Sequence, residues 1–404
     1  MKILSLGLVV LAWAAGAAHA DSLPTFDRVL EASLTQHPAI LGKRSARDAA
    51  SADKDGAEWA RYPTPSVEAT SASDARPAAG LLRIDQPLWA GGRISSGIEA
   101  AGSRFDAAGA GLDETTLEVS LRVVTAYLEA LRQKAREDHA ASGVQAHEKL
   151  LAMIRRRVTQ EVSSQTDQRL AESRLYQTKN ELSLVSKSLK NALTQLAQLS
   201  GQPVREVSWQ DLDDKGVPAT FDAALESALA SSPTLRRLRH EEEAATAEID
   251  QRRSAYMPQV ALRFERSSGG GVAADSRAMV VLLAQPGAGL SAASGVDAAI
   301  ARREAARQAR DAAERDLRER IAVDWEEWTA ARSRLETARL SSFMSDEVFA
   351  SYERQYVIGR KSWIDVLNAV REATQAQFSA EDARAQSIAA GLRLRAHAGT
   401  LTKK

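Results

Sequence analysis

The chain contains no cysteine, so it can form no disulfide and offers no thiol for a lipid anchor. Its 53 basic and 53 acidic side chains cancel, which gives no case for a polyanionic partner such as nucleic acid. The basic runs RRR at 155–157 and RRLRH at 236–240 do not alter this, because EEE at 241–243 follows the second directly. The six histidines, at 19, 37, 139, 147, 240 and 397, show no metal-ligand spacing. No nucleophile elbow or phosphate loop is present, and SGGGVAAD at 268–275 lacks the lysine a phosphate loop needs and reads as a strand-connecting loop. No cofactor, metal or enzymatic activity is expected. Beyond the first 20 residues no apolar run approaches the ~20 residues of a spanning helix. The longest, MVVLLA at 279–284, is strand-sized. Any membrane crossing past that point must be a β-barrel, the other structure that satisfies its backbone inside lipid.

The first 20 residues read as a secretory signal: Lys2, the apolar run ILSLGLVVLAW, then Ala18-His19-Ala20 as the cleavage site. An exported chain without cysteine suits a bacterial envelope protein. The remainder of the chain repeats itself. FDRVLEASLTQHPAI at 26–40 resembles FDAALESALASSPTL at 221–235, and Ser164 and Asp167 return 198 residues later as Ser362 and Asp365. The expected organisation is a signal at 1–20, a first repeat at 21–201, a Pro/Gly/Asp-rich linker at 202–219 and a second repeat at 220–404.

Each repeat has one layout. A helical segment comes first, at 26–60 and 221–256, and is ended by Tyr-Pro or Tyr-x-Pro. Two strand-like runs come next, at 66–73 and 81–89 and again at 259–266 and 276–285. In QVALRFER, Val260, Leu262 and Phe264 share one face and Ala261, Arg263 and Glu265 the other. Long helix then takes over. Arg93 to Thr159 lacks proline, and so does everything after Leu290. A helix of ~67 residues would be ~100 Å long, beyond any globular domain. Heptad steps run through Leu117, Leu121, Val124, Leu128 and Leu131, through Leu182, Val185, Leu189, Ala192, Leu196 and Leu199, and through a small-residue seam from Val366 to Leu394.

Four strands of about 8–10 residues match the length needed to cross a bilayer but cannot close a barrel, for which ~8 is the minimum. Either several chains share one barrel, or the molecule is a soluble sheet-capped coiled coil. A periplasmic adaptor or structural coiled-coil protein of the envelope is the alternative reading; it would pair a helical hairpin with a compact β-rich domain instead of a duplicated helix–strand layout.

QPLWAGGR at 86–93, opening the long helix after the second strand, resembles the strand-to-helix junction of TolC-type outer-membrane efflux and secretion channels. YVIGRKSWIDVLNAVRE at 356–372 resembles that family's periplasmic helical turn, and GRKSWIDVLNAVRE is similar to the branch serving type I secretion of adhesins. The resemblance spans the mature chain, about 24–400. It implies a mainly α fold with a small β part: a long α-helical coiled-coil barrel topped by a transmembrane β-barrel shared between three protomers. It also implies a homotrimer in the outer membrane of a Gram-negative bacterium, acting as an exit duct for secreted protein or small molecules. The partners implied are outer-membrane lipid, a periplasmic adaptor (membrane fusion) protein, and an inner-membrane ABC transporter or proton-driven pump. The resemblance places a channel gate at Tyr356, Lys361, Asp365 and Asp167. Asp365 would contribute to a ring of three carboxylates, and Asp167 would pair with Lys361 of a neighbouring turn. Asn368 stands where a second acidic position is expected, so the ring is expected to be single. Glu161 stands where glycine is usual, so the first turn is expected to end its helix differently.

Overall fold

The computed structural model describes residues 25–70, 79–210, 212, 216–269, 272–284 and 291–401. The proposed signal at 1–20 and the last residue of the strand-like run at 276–285 lie outside them. In chain order the elements are α1 (Phe26–Gln36), α2 (Pro38–Trp59), β1 (Thr64–Thr70), β2 (Ala79–Trp89), α3 (Arg93–Thr159), α4 (Gln165–Ser200), α5 (Phe221–Ser231), α6 (Pro233–Arg253), β3 (Gln259–Gly269), β4 (Val272–Leu283), α7 (Ala292–Val357) and α8 (Trp363–His397). The proline-free stretches became α3 and α7, of 67 and 66 residues, and so each about 100 Å long.

The two opening segments are not the single helices expected. Each breaks at a proline into a short and a longer piece. His37 and Ser232 precede Pro38 and Pro233, and both sit at extended ψ, 125° and 115°. The proline ring excludes the helical conformation from the residue before it. It then begins the next helix at the position where its missing N–H costs nothing. Each of these residues also caps the new helix, His37 Nδ1 accepting from Ala39 N and Ser232 Oγ from Leu235 N. A 3-10 turn at Ser254–Tyr256 closes α6.

The strands form one antiparallel sheet in the order β1-β2-β3-β4. The loop expected at 268–275 is shorter than its composition suggests: β3 continues through Gly269 and β4 resumes at Val272. Serine, glycine and aspartate there are weak strand formers, but cross-strand pairing carries them. Of the expected run 66–73, residues 71–73 lie outside the described residues. Pro87 lies at a register shift in β2, where a missing ladder donor is tolerated. The sheet is inside-out by the standard of a water-soluble protein. Leu262 and Phe264 are exposed, as are Val67 at 78% and Leu282 at 69%. On the opposite face the charges are paired with one another, and Glu265 among them is buried. Glu265 accepts from Arg83 (3.0 Å) and Arg277 (2.8 Å), and Arg263 binds Asp85 through two hydrogen bonds of 2.6 and 3.1 Å. An apolar outside and a paired polar inside is the pattern of a barrel wall in lipid.

The helices pack in two similar sets. α1 lies on α3 and α4, and α5 lies on α7 and α8. Phe26, Val29 and Leu30 of α1 meet Val123, Tyr127 and Leu196, with the Phe26 and Tyr127 rings edge to face at 5.5 Å. The Tyr127 hydroxyl donates to Ser208 O at 3.0 Å, tying the linker to α3. Its burial pushes the phenol pKa up. In the second set Ala224 and Ala228 of α5 meet Ile321, Trp328 and Leu394. The heptad seams are the buried faces: Val124, Leu128, Leu131, Val185, Leu196, Val366, Ala373 and Leu394 are all enclosed.

The junction from β2 to α3 depends on one close approach. Gly91 has φ +57°, and a Cβ there would stand 2.4 Å from the Cβ of Met257. Gly92 also has positive φ, +91°, but nothing lies within 4 Å of its missing Cβ. Gly91→Ala is therefore expected to carry both backbone strain, ~1–2 kcal/mol, and overpacking, ~1–3 kcal/mol. Gly92→Ala carries only the strain. Thermal unfolding of the two variants is expected to lower the transition more for Gly91→Ala; an equal shift would remove the packing role assigned to Gly91.

Candidate gate at the two helical turns

Both long helices end in the same way. In the first turn Glu161 N donates to Val158 O at 3.0 Å and Val162 N to Arg157 O at 2.9 Å. In the second, Gly359 N donates to Tyr356 O at 3.1 Å and Arg360 N to Gln355 O at 2.9 Å. This nested pair satisfies the last carbonyls of a helix and requires a left-handed residue at its centre. Gly359 takes it with φ +78°, and Glu161 takes it too, with φ +59°. The expectation that Glu161 would change the helix ending is therefore corrected. The hydrogen bonds and the succeeding helix hold the non-glycine residue in the strained region.

The next helices also start alike. Ser164 and Ser362 share φ −79° and ψ 154° and open capping boxes with Asp167 and Asp365. Asp167 Oδ2 accepts from Ser164 N at 3.1 Å, and Ser164 Oγ accepts from Asp167 N at 3.1 Å. Asp365 Oδ2 accepts from Ser362 Oγ at 2.9 Å and from Ser362 N at 3.2 Å. Both carboxylates thus have a local duty at a helix N-terminus, where negative charge is favoured. The Ser362 hydrogen bonds, with Lys361 adding its charge, hold the Asp365 carboxyl below its ordinary value of 3.8. A depressed carboxyl stabilises the fold above its unfolded pKa, and that contribution is lost as pH falls through the depressed value.

The two turns lie at the same end of the molecule, joined by a core of Leu151, Ile154, Ala171, Leu175, Tyr356 and Trp363. Trp363, at the start of α8, is a packing anchor of that core. Tyr356 is 2% exposed, and its hydroxyl has no hydrogen-bond partner among the described residues. Lys361 does not reach Asp167 within one chain; its Nζ stands 4.1 Å over the ring of Tyr352. Asn368 is exposed and lines a polar cleft of about 120 Å³ with Arg174, Glu181 and Arg371. Sequence reasoning missed Arg157. Its guanidinium lies 4.5 Å from the Tyr356 ring centroid and donates to Tyr356 O at 3.4 Å, bridging the end of α3 to the end of α7. The signal that could have found it is its place three residues after the buried Ile154, on the same side of α3.

A family model described as outer membrane efflux protein matches residues 29–202 and 224–400. No curated protein sequence matches the chain. Among solved structures, the outer membrane protein VceC from Vibrio cholerae superposes with a TM-score of 0.80 at 16% identity, covering 93% of this chain and 96% of that one. The open state of the Neisseria gonorrhoeae MtrE outer membrane channel superposes with a TM-score of 0.73 at 18% identity, covering 94% and 90%. A crystal structure of a membrane protein from Pseudomonas aeruginosa gives 0.81 at 18% identity, covering 92% and 90%. At these identities the likeness is one of fold.

The shared turn geometry generates a paired test. Glu161→Gly is expected to relieve a left-handed conformation and raise stability by ~1 kcal/mol, and Gly359→Ala to lower it by a similar amount. No atom lies within 4 Å of the missing Gly359 Cβ, so packing does not add to the second figure. Thermal unfolding reads both; a loss of stability in Glu161→Gly would show that the glutamate side chain holds the turn.

Proposed function

This chain belongs to the outer membrane efflux protein family, and we propose that three copies of it form an exit duct through the outer membrane and down into the periplasm. The observation that carries the proposal is the unfinished surface of the single chain. Its sheet has two open edges, β1 and β4, and an apolar face turned to the outside. Below the sheet, α7 carries an exposed apolar stripe of Leu340, Phe343, Met344 and Val348, and α4 carries Leu170, Tyr176 and Leu184. Stripes of this kind mark helix–helix interfaces. Three chains arranged in a ring close twelve strands into one barrel and cover each α7 stripe with a neighbour's α4. The duct conducts and performs no chemistry.

The chain is read as two repeats, 21–201 and 220–404, joined by 202–219 and preceded by an export signal at 1–20. The turns between α3 and α4 and between α7 and α8 form the periplasmic mouth. There Asp365 from each chain makes a ring of three carboxylates, a single ring because Asn368 stands at the second position. Like charges held close repel and draw cations. Lys361 of one chain faces Asp167 of the next as a latch, while Tyr356 and its packing keep the two turns of one chain together. Exposed pairs of this kind contribute little singly, so the latch is opened by docking of a periplasmic adaptor joined to an inner-membrane pump. Of the two cargo classes open to such a duct, the stretch GRKSWIDVLNAVRE at 359–372 favours secreted protein carried by a type I system over small-molecule efflux.

The ring is separable from the cap. Asp365→Asn removes the charge, whereas Ser362→Ala breaks the same capping box and keeps it. In planar lipid bilayers the purified protein is expected to form channels whose cation preference falls in Asp365→Asn and persists in Ser362→Ala. Equal preference in the wild type and Asp365→Asn would remove the ring, and failure of the wild type to conduct would remove the duct.

A further inference from the structure

We propose that the collar where helices give way to strands is a binding surface for anionic phospholipid headgroups; this rests on the outer-membrane reading above. The collar gathers large exposed aromatics that no packing in the chain explains. Trp59 is 67% exposed, and Tyr62, Trp89 and Tyr256 are each about half exposed. The Trp59 and Tyr62 ring centroids lie 5.1 Å apart, the planes tilted at 47°. The ladder puts these residues at one level. Gln86 Nε2 donates to Arg61 O at 2.9 Å, which sets Arg61 and Tyr62 beside the end of β2. Trp89 stands opposite Val260, and Val260 opposite Leu282. Above the collar runs the apolar outer face of the sheet. At the opposite end the described residues Thr70, Ala79, Ser267, Ser268 and Ser276 include no aromatic. Amphipathic rings at one rim of an apolar band belong at the boundary between acyl chains and headgroups.

The charge at that level selects among headgroups. The side chains of Arg61, Arg93 and Arg252 are exposed and have no hydrogen bond or ion pair among the described residues. The adjoining last turns of α2 and α6 supply two carboxylates, Glu58 and Asp250, and Asp250 is taken up by Arg253 at 3.2 Å. A net excess of unpaired guanidinium therefore faces the headgroup layer, in a chain whose charges balance overall and are extensively paired elsewhere. Guanidinium binds phosphate in a fixed, bidentate geometry. Arg93 also lines a cleft of about 310 Å³ between α2, α3 and α6, with Ala57, Ala60 and Ile94 beside it. The other charged groups lining it are Asp53 and Arg104, which pairs with Glu248, and the cleft gives a headgroup at Arg93 a concave seat. A lipid with net negative charge gains from this excess, and a zwitterionic one gains little.

Tryptophan quenching by brominated lipid in reconstituted vesicles tests the collar. The vesicles are phosphatidylcholine in which a fixed fraction is brominated, either as phosphatidylcholine or as phosphatidylglycerol. Brominated phosphatidylglycerol is expected to quench several-fold more effectively, since each unpaired arginine shifts the local ratio by up to about fivefold. Trp59→Phe/Trp89→Phe is expected to abolish the lipid-quenchable fraction. Arg61→Gln/Arg93→Gln/Arg252→Gln is expected to bring the two lipids to parity while quenching persists. Equal quenching by both lipids in the wild type overturns the headgroup preference. A quenchable fraction that survives loss of Trp59 and Trp89 overturns the collar itself. Vesicle flotation separates these from failure of the barrel reading, in which the protein does not insert at all.

Discussion

A strand edge inside hydrocarbon has nowhere to put its hydrogen bonds, and the rest of this structure answers to that constraint. One chain supplies four strands and therefore two open edges, β1 and β4. Four strands are too few to curl shut on themselves. The apolar face that suits lipid is already turned outward, and the charges that lipid would not tolerate are already paired on the other side, Glu265 with Arg83 and Arg277, Asp85 with Arg263. Such a wall is finished only by further copies of itself.

The helices supply what a shared barrel lacks. Twelve strands from three chains must find each other in one register, and long helices bundled beneath can hold them there. α3 and α7 reach about 100 Å and turn back as α4 and α8. At the far end, the paired turns solve a local problem with one device used twice: a left-handed residue ends one helix, and a serine–aspartate box begins the next. The device explains the aspartates before any gate is invoked. In the gate proposed above, function is layered on a structural residue, and for that reason the charge of Asp365 must be tested apart from its cap. Arg157 adds a further link, fixing the two turns of one chain to each other through Tyr356.

Most of the architecture was legible in the residues. The absence of proline between Arg93 and Thr159 marks one helix, and the alternation of Val260, Leu262 and Phe264 with Arg263 and Glu265 marks a two-faced strand. Three features were not legible, each for a physical reason. The breaks at His37 and Ser232 come from prolines that also make good first-turn residues, so the pattern reads through them. The strand residues at 268–269 and 272–275 are held by their partners across the ladder, not by their own propensity. Glu161 occupies a glycine's conformation because the hydrogen bonds around it outweigh a local cost of ~1 kcal/mol, a balance that no single residue type announces. At the candidate site, the aspartates and Tyr356 were marked by their repeat and their turn. Arg157 was not, because its partner lies 199 positions away.

If this chain is a third of a wall, the mass of the particle extracted from the outer membrane in mild detergent will say so. Three copies of the chain, whose full sequence weighs 43.6 kDa, are expected in one particle with the sheet intact. A single chain that keeps its four-stranded sheet in detergent, with β1 and β4 still unpaired, would mean that the wall needs no copies to complete it.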